Sequence, residues 1–420
     1  MKIGFVGLGK LGFPCAVAIE KVGKHQVKGF DIDQNVRKIL STKKPPYMEI
    51  DFEKYLLESN IEIVSNLEEV VNWAEIIFIA VQTPHEKLYE GITPTPKAKQ
   101  DFDYSILKNS ILTICEILKK NPGSNPLIVV ISTVLPGTMN KYVLPELAKV
   151  RQTVRFCYNP YFIAMGTTIP DFLEPEFILV GAQQDEDVNL LKKFYSTITQ
   201  APVRSMQIES AELTKVAYNT FIGFKIVFAN ILAEIVDNRG GNVDEVTTAL
   251  AAANKRLISE KYLKAGMGDG GGCHPRDQIA MSWLAENAGL SVDLFGSLAK
   301  ARDSQTEKLA DLIAKKSRAL SLKVCILGWS YKPETNLTIG SPSVLLGYYL
   351  SEKSIEFSIY DPFVFPENKI SQEPQIFVVA TNHKIFYDFK VPSGSVVIDP
   401  WDKRDSWGKD IKLISPGRNL

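Results

Sequence analysis

Apolar runs of strand length alternate with longer segments of helical period along most of this chain. Lys2 to Val6 is one such run, followed by a helical stretch and a second run at Gln26 to Phe30. Further runs at Ile61 to Val64, Ile76 to Val81, Leu127 to Ile131 and Phe177 to Val180, with helical segments between several of them, predict a doubly wound α/β domain to about residue 205. From Glu209 to Arg239 the pattern is helical and free of proline, and it stops at Gly240-Gly241. A helix that long is expected to connect two domains and to pair with a second copy. Helical stretches continue to about Arg318. A second α/β pattern then opens at Leu322 to Gly328, with a helix near Ser343 to Leu350 and strands at Phe357 to Tyr360, Ile376 to Ala380 and Val396 to Ile398. The predicted architecture is α/β, with Rossmann-like domains at 1–205 and 319–420 joined by a helical central domain at 206–318.

The first apolar run ends in Gly7-Leu8-Gly9-Lys10-Leu11-Gly12, and the second closes on Asp31. A lone GxGxxG is weak. Here it follows a strand, opens a helix, and has an acidic residue at about the twenty-residue distance typical of dinucleotide sites. Such a loop admits a pyrophosphate to the helix N-terminus, and Asp31 would take a ribose hydroxyl pair, which favours NAD over NADP.

A second glycine-rich stretch, Gly266-Met267-Gly268-Asp269-Gly270-Gly271-Gly272-Cys273-His274-Pro275-Arg276-Asp277, sets one thiol at the end of a turn. Cys273 there reads as a nucleophile and Asp277 as a group that handles a proton or positions a water. On the loop alone, a buried structural cysteine remains an equal alternative. Lys215 and Asn219, four apart on the long helix, share a face and can aim at one substrate, or they are two solvated polar residues. The Pro, Thr and Lys-rich stretch from Pro84 to Asp103 is a functional flap or a dispensable surface insertion.

Composition adds little beyond exclusions. The 420 residues exceed one core, and 48 basic residues balance 48 acidic ones, so no long-range field toward nucleic acid or membrane is implied. The five cysteines lie far apart with no CxxC pair, which suggests neither a disulfide framework nor a metal site and fits a reducing cytoplasm. Met1 runs straight into the first predicted strand without the order of a secretory signal, and no apolar run has transmembrane length.

Taken together, the motifs resemble those of the UDP-glucose/GDP-mannose dehydrogenases, the nucleotide-sugar 6-dehydrogenases, over essentially the whole chain. The resemblance rests on Gly270 to Asp277, on Val81-Gln82-Thr83-Pro84, on Ser132-Thr133-Val134, and on Glu212-Leu213-Thr214-Lys215 with Asn219 one turn on. Tyr331-Lys332-Pro333 and Tyr360-Asp361-Pro362 complete it. It implies a homodimer that oxidises a nucleotide sugar, most simply UDP-glucose, at C6 by two NAD-dependent steps through a thiohemiacetal and a thioester on Cys273. It further implies Lys215 and Asn219 as oxyanion donors and Asp277 and Thr133 as organisers of water. Thr83, Pro84 and Thr133 would lie at the cofactor with Gly7, Gly9, Lys10, Leu11, Gly12 and Asp31. Phe162, Lys215, Asn219, Tyr262, Gly270, Tyr331 and Lys332 would lie at the substrate.

Besides Arg276, which replaces a lysine before Asp277, the chain departs from the family pattern in four places. Tyr161 in Asn159-Pro160-Tyr161-Phe162 stands where the family carries a catalytic glutamate, and Met165 where it often has another. Ile339-Gly340-Ser341-Pro342 replaces an Arg-Glu-Ser-Pro ending, and Asp399-Pro400-Trp401 an Asp-Gly-Arg pattern. A two-electron β-hydroxyacid-type dehydrogenase and a catalytically impaired sugar-nucleotide binder are the competing readings.

Overall fold

The computed structural model describes every residue except 46, 151–154, 255–261, 263, 288–292, 402–406 and 419–420, and leaves out the side chains at 231, 234, 235, 238 and 239. Two compact units emerge. One comprises Met1–Pro84 with Phe102–Ala217, the other His85–Asp101 with Tyr218–Leu420. Their boundary falls inside the single helix Ile208–Arg239.

In the first unit the strands are β1 (Lys2–Val6), β2 (Gln26–Phe30), β3 (Glu62–Ile63), β4 (Ile76–Ile79), β5 (Leu127–Val130), β6 (Phe156–Tyr158), β7 (Ile178–Ala182) and β8 (Val203–Met206). They form one sheet in the order β3-β2-β1-β4-β5-β6-β7-β8, parallel throughout except between β6 and β7. Central strands of a sheet covered on both faces must be apolar on both faces, and β4 and β5 are buried at every position. The rings of Phe5, Phe78 and Phe194 pack in series at 5.3 Å through this core. The chain order reverses between β1 and β4, which puts the topological switch point at the end of β1, where the glycine loop begins.

The second unit holds β9 (Val324–Leu327), β10 (Phe357–Tyr360), β11 (Ile376–Val379), β12 (Val396–Ile398) and β13 (Lys412–Ile414), all parallel, in the order β10-β9-β11-β12-β13. The helix Leu294–Leu320 packs on both His274–Asn287 and Pro342–Glu352. Ala310, Ile313 and Ala314 from it share a core with Val324, Ile326 and Leu345.

The two sheets repeat one local device. Gly7 follows β1 at φ +93°, donates to Phe30 O at 2.9 Å, and is followed by Leu8, whose N–H donates to Asp31 at 2.6 Å. Gly328 follows β9 at φ +88°, donates to Tyr360 O at 2.9 Å, and is followed by Trp329, whose N–H donates to Asp361 at 2.6 Å. The copies then diverge. Asp361 also accepts from the backbone N–H groups of Ser330, Phe363 and Val364 and meets His383 Nε2 at 3.2 Å. Burial pulls its carboxyl up, but the bonds from His383 and from the Trp329 and Ser330 amides outweigh that and hold it at about 2. Asp361 is thus an internal brace.

Candidate active site

The glycine loop of the first unit has the geometry of a dinucleotide cradle. A Cβ on Gly12 would lie 2.2 Å from Gly7 O, so the close crossing of loop and helix excludes any side chain there. No described residue stands within 4 Å of the position a Cβ on Gly9 would take, which leaves that face open to a ligand backbone. Helix Gly12–Gly23 starts directly behind the loop, and the positive end of its dipole favours a pyrophosphate. Asp31 accepts from Leu8 N with one oxygen and from Asp33 N at 2.8 Å with the other, so the acid that would hold the ribose is locked to the loop. Lys10 is exposed and Leu11 half-buried beside it.

Behind the loop, Thr83 Oγ1 donates to Thr133 O at 2.8 Å and Ser132 Oγ to Val81 O at 2.5 Å, which ties the Thr83-Pro84 and Thr133 turns together. Lys215 is buried, with Nζ 5.1 Å from the centre of the Phe162 ring. One turn earlier Glu212, fully buried, accepts from Gly137 N at 2.6 Å and Met139 N at 2.8 Å. It therefore ties the turn after Thr133 to the helix that carries Lys215. Tyr161 lies at the edge of the first core, its ring 5.3 Å from Phe172 and its hydroxyl 3.3 Å from that of Tyr195. Burial first, and Tyr195 second, push the phenol well above its ordinary range, so it accepts no proton at neutral pH.

Glu212 gives a pH prediction. Burial lifts its carboxyl from 4.5 to about 7, although the two amide donors favour the ionised form. Because the folded value exceeds the unfolded one, the stability linked to this group is complete below pH 4.5 and is lost as pH rises through about 7. A gap of that size corresponds to about 3 kcal/mol. Urea unfolding at pH 5 and pH 8.5 should show Glu212→Gln losing less stability than the parent protein across that interval. Equal losses would rule the assignment out.

In the second unit the cysteine loop is braced from several sides. Cys273 is partly exposed, whereas the other four cysteines are buried. It directly precedes helix His274–Asn287, and its carbonyl accepts from Asp277 N at 2.8 Å. Asp277 is fully buried: Oδ2 accepts from Asn219 Nδ2 at 2.5 Å, and Oδ1 faces Arg276 at 2.7 Å. Asp269, also fully buried, pairs with His274 Nδ1 at 2.8 Å and Gln278 Nε2 at 2.6 Å. Here the structure brings together Cys273, Asp277, Asn219 and Gly270 from the sequence reading. The Tyr331 ring also lies there, 3.0 Å from where a Cβ on Gly271 would stand, with Lys332 Nζ 5.6 Å from its centre. Tyr262 is half-exposed at φ +64°.

Two departures from the family pattern pack on this loop. Gly340, at φ +66°, lies so close that its Cβ would be 2.2 Å from Gly271 O, while its own carbonyl accepts from Gly271 N at 3.1 Å. A glutamate there could not fit. Trp401 lies against Gly266, where the loop begins, and its indole N–H donates to Val379 O at 3.0 Å.

The stretch His85–Asp101 is no loose insertion. Arg302, 2% exposed, donates to Gly91 O and to Asp269 O, each at 2.7 Å, and pairs with Asp303, which accepts from Thr95 N at 2.5 Å. Gly91 backs directly onto Pro275. His85 sits within electrostatic reach of Arg276 and Asp277; burial, then Arg276, lower it to about 4. Neither His85 nor Arg302 was singled out from sequence, and the one available signal was His85 following Thr83-Pro84 directly.

The model of the UDP-glucose/GDP-mannose dehydrogenase family, NAD binding domain, matches residues 1–199, and that of the family's central domain matches residues 209–303. The UDP-glucose 6-dehydrogenase TuaD of Bacillus subtilis is 27% identical over 373 residues, 87% of this chain and 77% of that protein. The GDP-mannose 6-dehydrogenase of Pseudomonas aeruginosa is 26% identical over 438 residues, 95% of this chain and 96% of that protein. A solved UDP-glucose dehydrogenase from Pyrobaculum islandicum superposes with a TM-score of 0.85 at 24% identity, covering 99% of this chain and 97% of that one, and so shares the fold.

Proposed function

Since this chain belongs to the UDP-glucose/GDP-mannose dehydrogenase family and carries its NAD-binding domain, we propose that it oxidises the C6 alcohol of a nucleotide sugar, UDP-glucose first among them, to the carboxylate. The observation that carries this reading is Cys273: among five cysteines it alone is not buried, and it stands at a helix N-terminus beside the Asp277–Asn219 pair.

Gly7, Gly9, Lys10, Leu11, Gly12 and Asp31, with Thr83, Pro84 and Thr133, would hold NAD, which would supply the hydride acceptor for both oxidations. The protein's own residues do the rest. Lys215 stabilises the oxyanion at C6, and a donor of that kind is worth about 10²–10³ in rate. Cys273 sulfur bonds to C6 of the aldehyde, which retains that reactive species and gives the thiohemiacetal from which the thioester derives. Asn219 holds Asp277, which with Thr133 orients water. Phe162, Tyr262, Gly270, Tyr331 and Lys332 are assigned to the nucleotide sugar.

Phe221, Phe224 and Phe228 form an exposed stacked row along helix Ile208–Arg239, with ring centres 6.1 Å apart, and we assign that row to a homodimer contact. A particle of about twice 46.8 kDa in sedimentation would support it, and a monomer would refute it. No described helix is long and apolar enough to cross a membrane, and we assign the protein to the cytoplasm, whose reducing conditions suit a free catalytic thiol.

Incubation with NAD and a panel of UDP-, GDP- and dTDP-sugars tests the reading. Two NADH per UDP-glucose are expected. One would indicate a two-electron dehydrogenase, and none a binding protein.

A further inference from the structure

With Tyr161 bonded to Tyr195, the family's glutamate position offers no base for breaking the thioester. We propose that His85 is the general base that activates the hydrolytic water at Cys273; this rests on the covalent reading of Cys273 given above.

Three observations in the second unit converge on His85. The first is its anchorage. His85 opens the His85–Asp101 stretch, which Arg302 fixes through Gly91 O and Asp303 through Thr95 N, and which backs onto Pro275, two residues past the thiol. The second is its surroundings. Arg276 and Asp277, the latter bonded to Asn219, act on the ring electrostatically. The third is its chemistry. Nε2 is buried and has no hydrogen-bond partner among the described residues. A buried polar atom left so costs about 1–3 kcal/mol and persists where a water or ligand satisfies it. In the neutral ring with its proton on Nδ1, Nε2 presents a lone pair.

The protonation state agrees. Held down at about 4 by burial and then by Arg276, the imidazole is neutral at pH 7 and ready to accept. Once protonated it gains the nearby Asp277 carboxylate, which opposes the repulsion from Arg276. As an acceptor it matches a carboxylate of ordinary basicity, the group that is missing at position 161.

The step balances without a further reactant. Water oxygen bonds to the thioester carbon as its proton passes to His85 Nε2. The tetrahedral oxyanion collapses, the C–S bond breaks, and the electron pair leaves on Cys273 sulfur. His85 returns its proton to that sulfur, and the new carboxylic acid ionises to solvent. The sum is one thioester and one water giving one carboxylate, one thiol and one proton.

The test uses the full chain with NAD and UDP-glucose in rapid mixing, comparing the parent protein with His85→Gln and His85→Ala. The expected result is a burst of two NADH per Cys273 in each variant, then a steady state slowed by about 10²–10⁴. Intact-mass measurement should find the sugar acyl group on Cys273, and added imidazole should restore turnover to His85→Ala. Near-parental turnover by both variants would overturn the proposal, as would slow turnover with neither acyl enzyme nor imidazole rescue. A parent protein that makes fewer than two NADH fails the covalent reading itself and takes this inference with it. Two NADH from the parent together with unaffected variants sinks His85 alone.

Discussion

Cys273→Ser is expected to abolish the second oxidation: the variant should release at most one NADH per sugar, with the rate of carboxylate formation down by three orders of magnitude or more, on the order of what loss of a catalytic nucleophile costs. The serine hydroxyl fits the same space at the helix N-terminus but ionises far less readily than a thiol, so C6 is not captured as a covalent adduct. The aldehyde then escapes or persists as its hydrate. Trapping it with a hydrazine reagent while counting NADH checks both halves of the prediction. A serine variant that still yields two NADH at the parental rate would remove the covalent centre from the mechanism, and with it any role for a base in hydrolysis.

Arg302→Met should be the most damaging single change away from the chemistry. The guanidinium is almost wholly buried, and it closes three links at once: to Gly91 O in the His85–Asp101 stretch, to Asp269 O in the cysteine loop, and to Asp303. Methionine keeps much of the volume but leaves two carbonyls without donors and a carboxylate without its cation. Breaking a buried pair from one side costs about 3–5 kcal/mol. Denaturant unfolding should register a loss of that size, and proteolysis within residues 85–101 should become fast under native conditions. A loss below about 1 kcal/mol, the worth of an exposed pair, would mean that the clamp is not what fastens this stretch.

Both chemical loops were legible in the sequence because each is written in contiguous residues. Gly7 to Gly12 lies between a strand and a helix, and Cys273 stands at the end of its own glycine run, so local spacing carried the meaning. The apolar runs of β1, β4, β5, β9 and β11 were equally plain, since strands buried on both faces need no alternation. Three short strands were missed for the complementary reason. In β8 and β13 the residues are mostly half-exposed or exposed, and β6 is only three residues long, so none offers a run to detect.

What the sequence could not convey is which substitutions compensate one another. Ile339-Gly340 and Trp401 read as losses against the family pattern. In the fold each touches the cysteine loop, Gly340 by a backbone approach that forbids a side chain and Trp401 by covering Gly266. Likewise Tyr161 read as a base replaced by a weaker one, whereas its phenol belongs to a pair with Tyr195. Contacts such as Gly91 with Arg302 join positions too far apart for any periodicity to signal.

That last contact also bears on the order in which the protein can be made. A chain leaving the ribosome exposes His85–Asp101 early, while the first sheet is still waiting for β5 to β8. Its anchors at Pro275 and Arg302 emerge only after that sheet is complete. Until they emerge this stretch is a tether without a dock, flanked by residues already folding on either side. Domains tend to form in the order of their synthesis, and here the second unit has to reach back for a piece delivered before the first was finished. Emergence of Pro275 and Arg302, rather than completion of the first sheet, is the earliest moment at which Cys273 can acquire its surroundings.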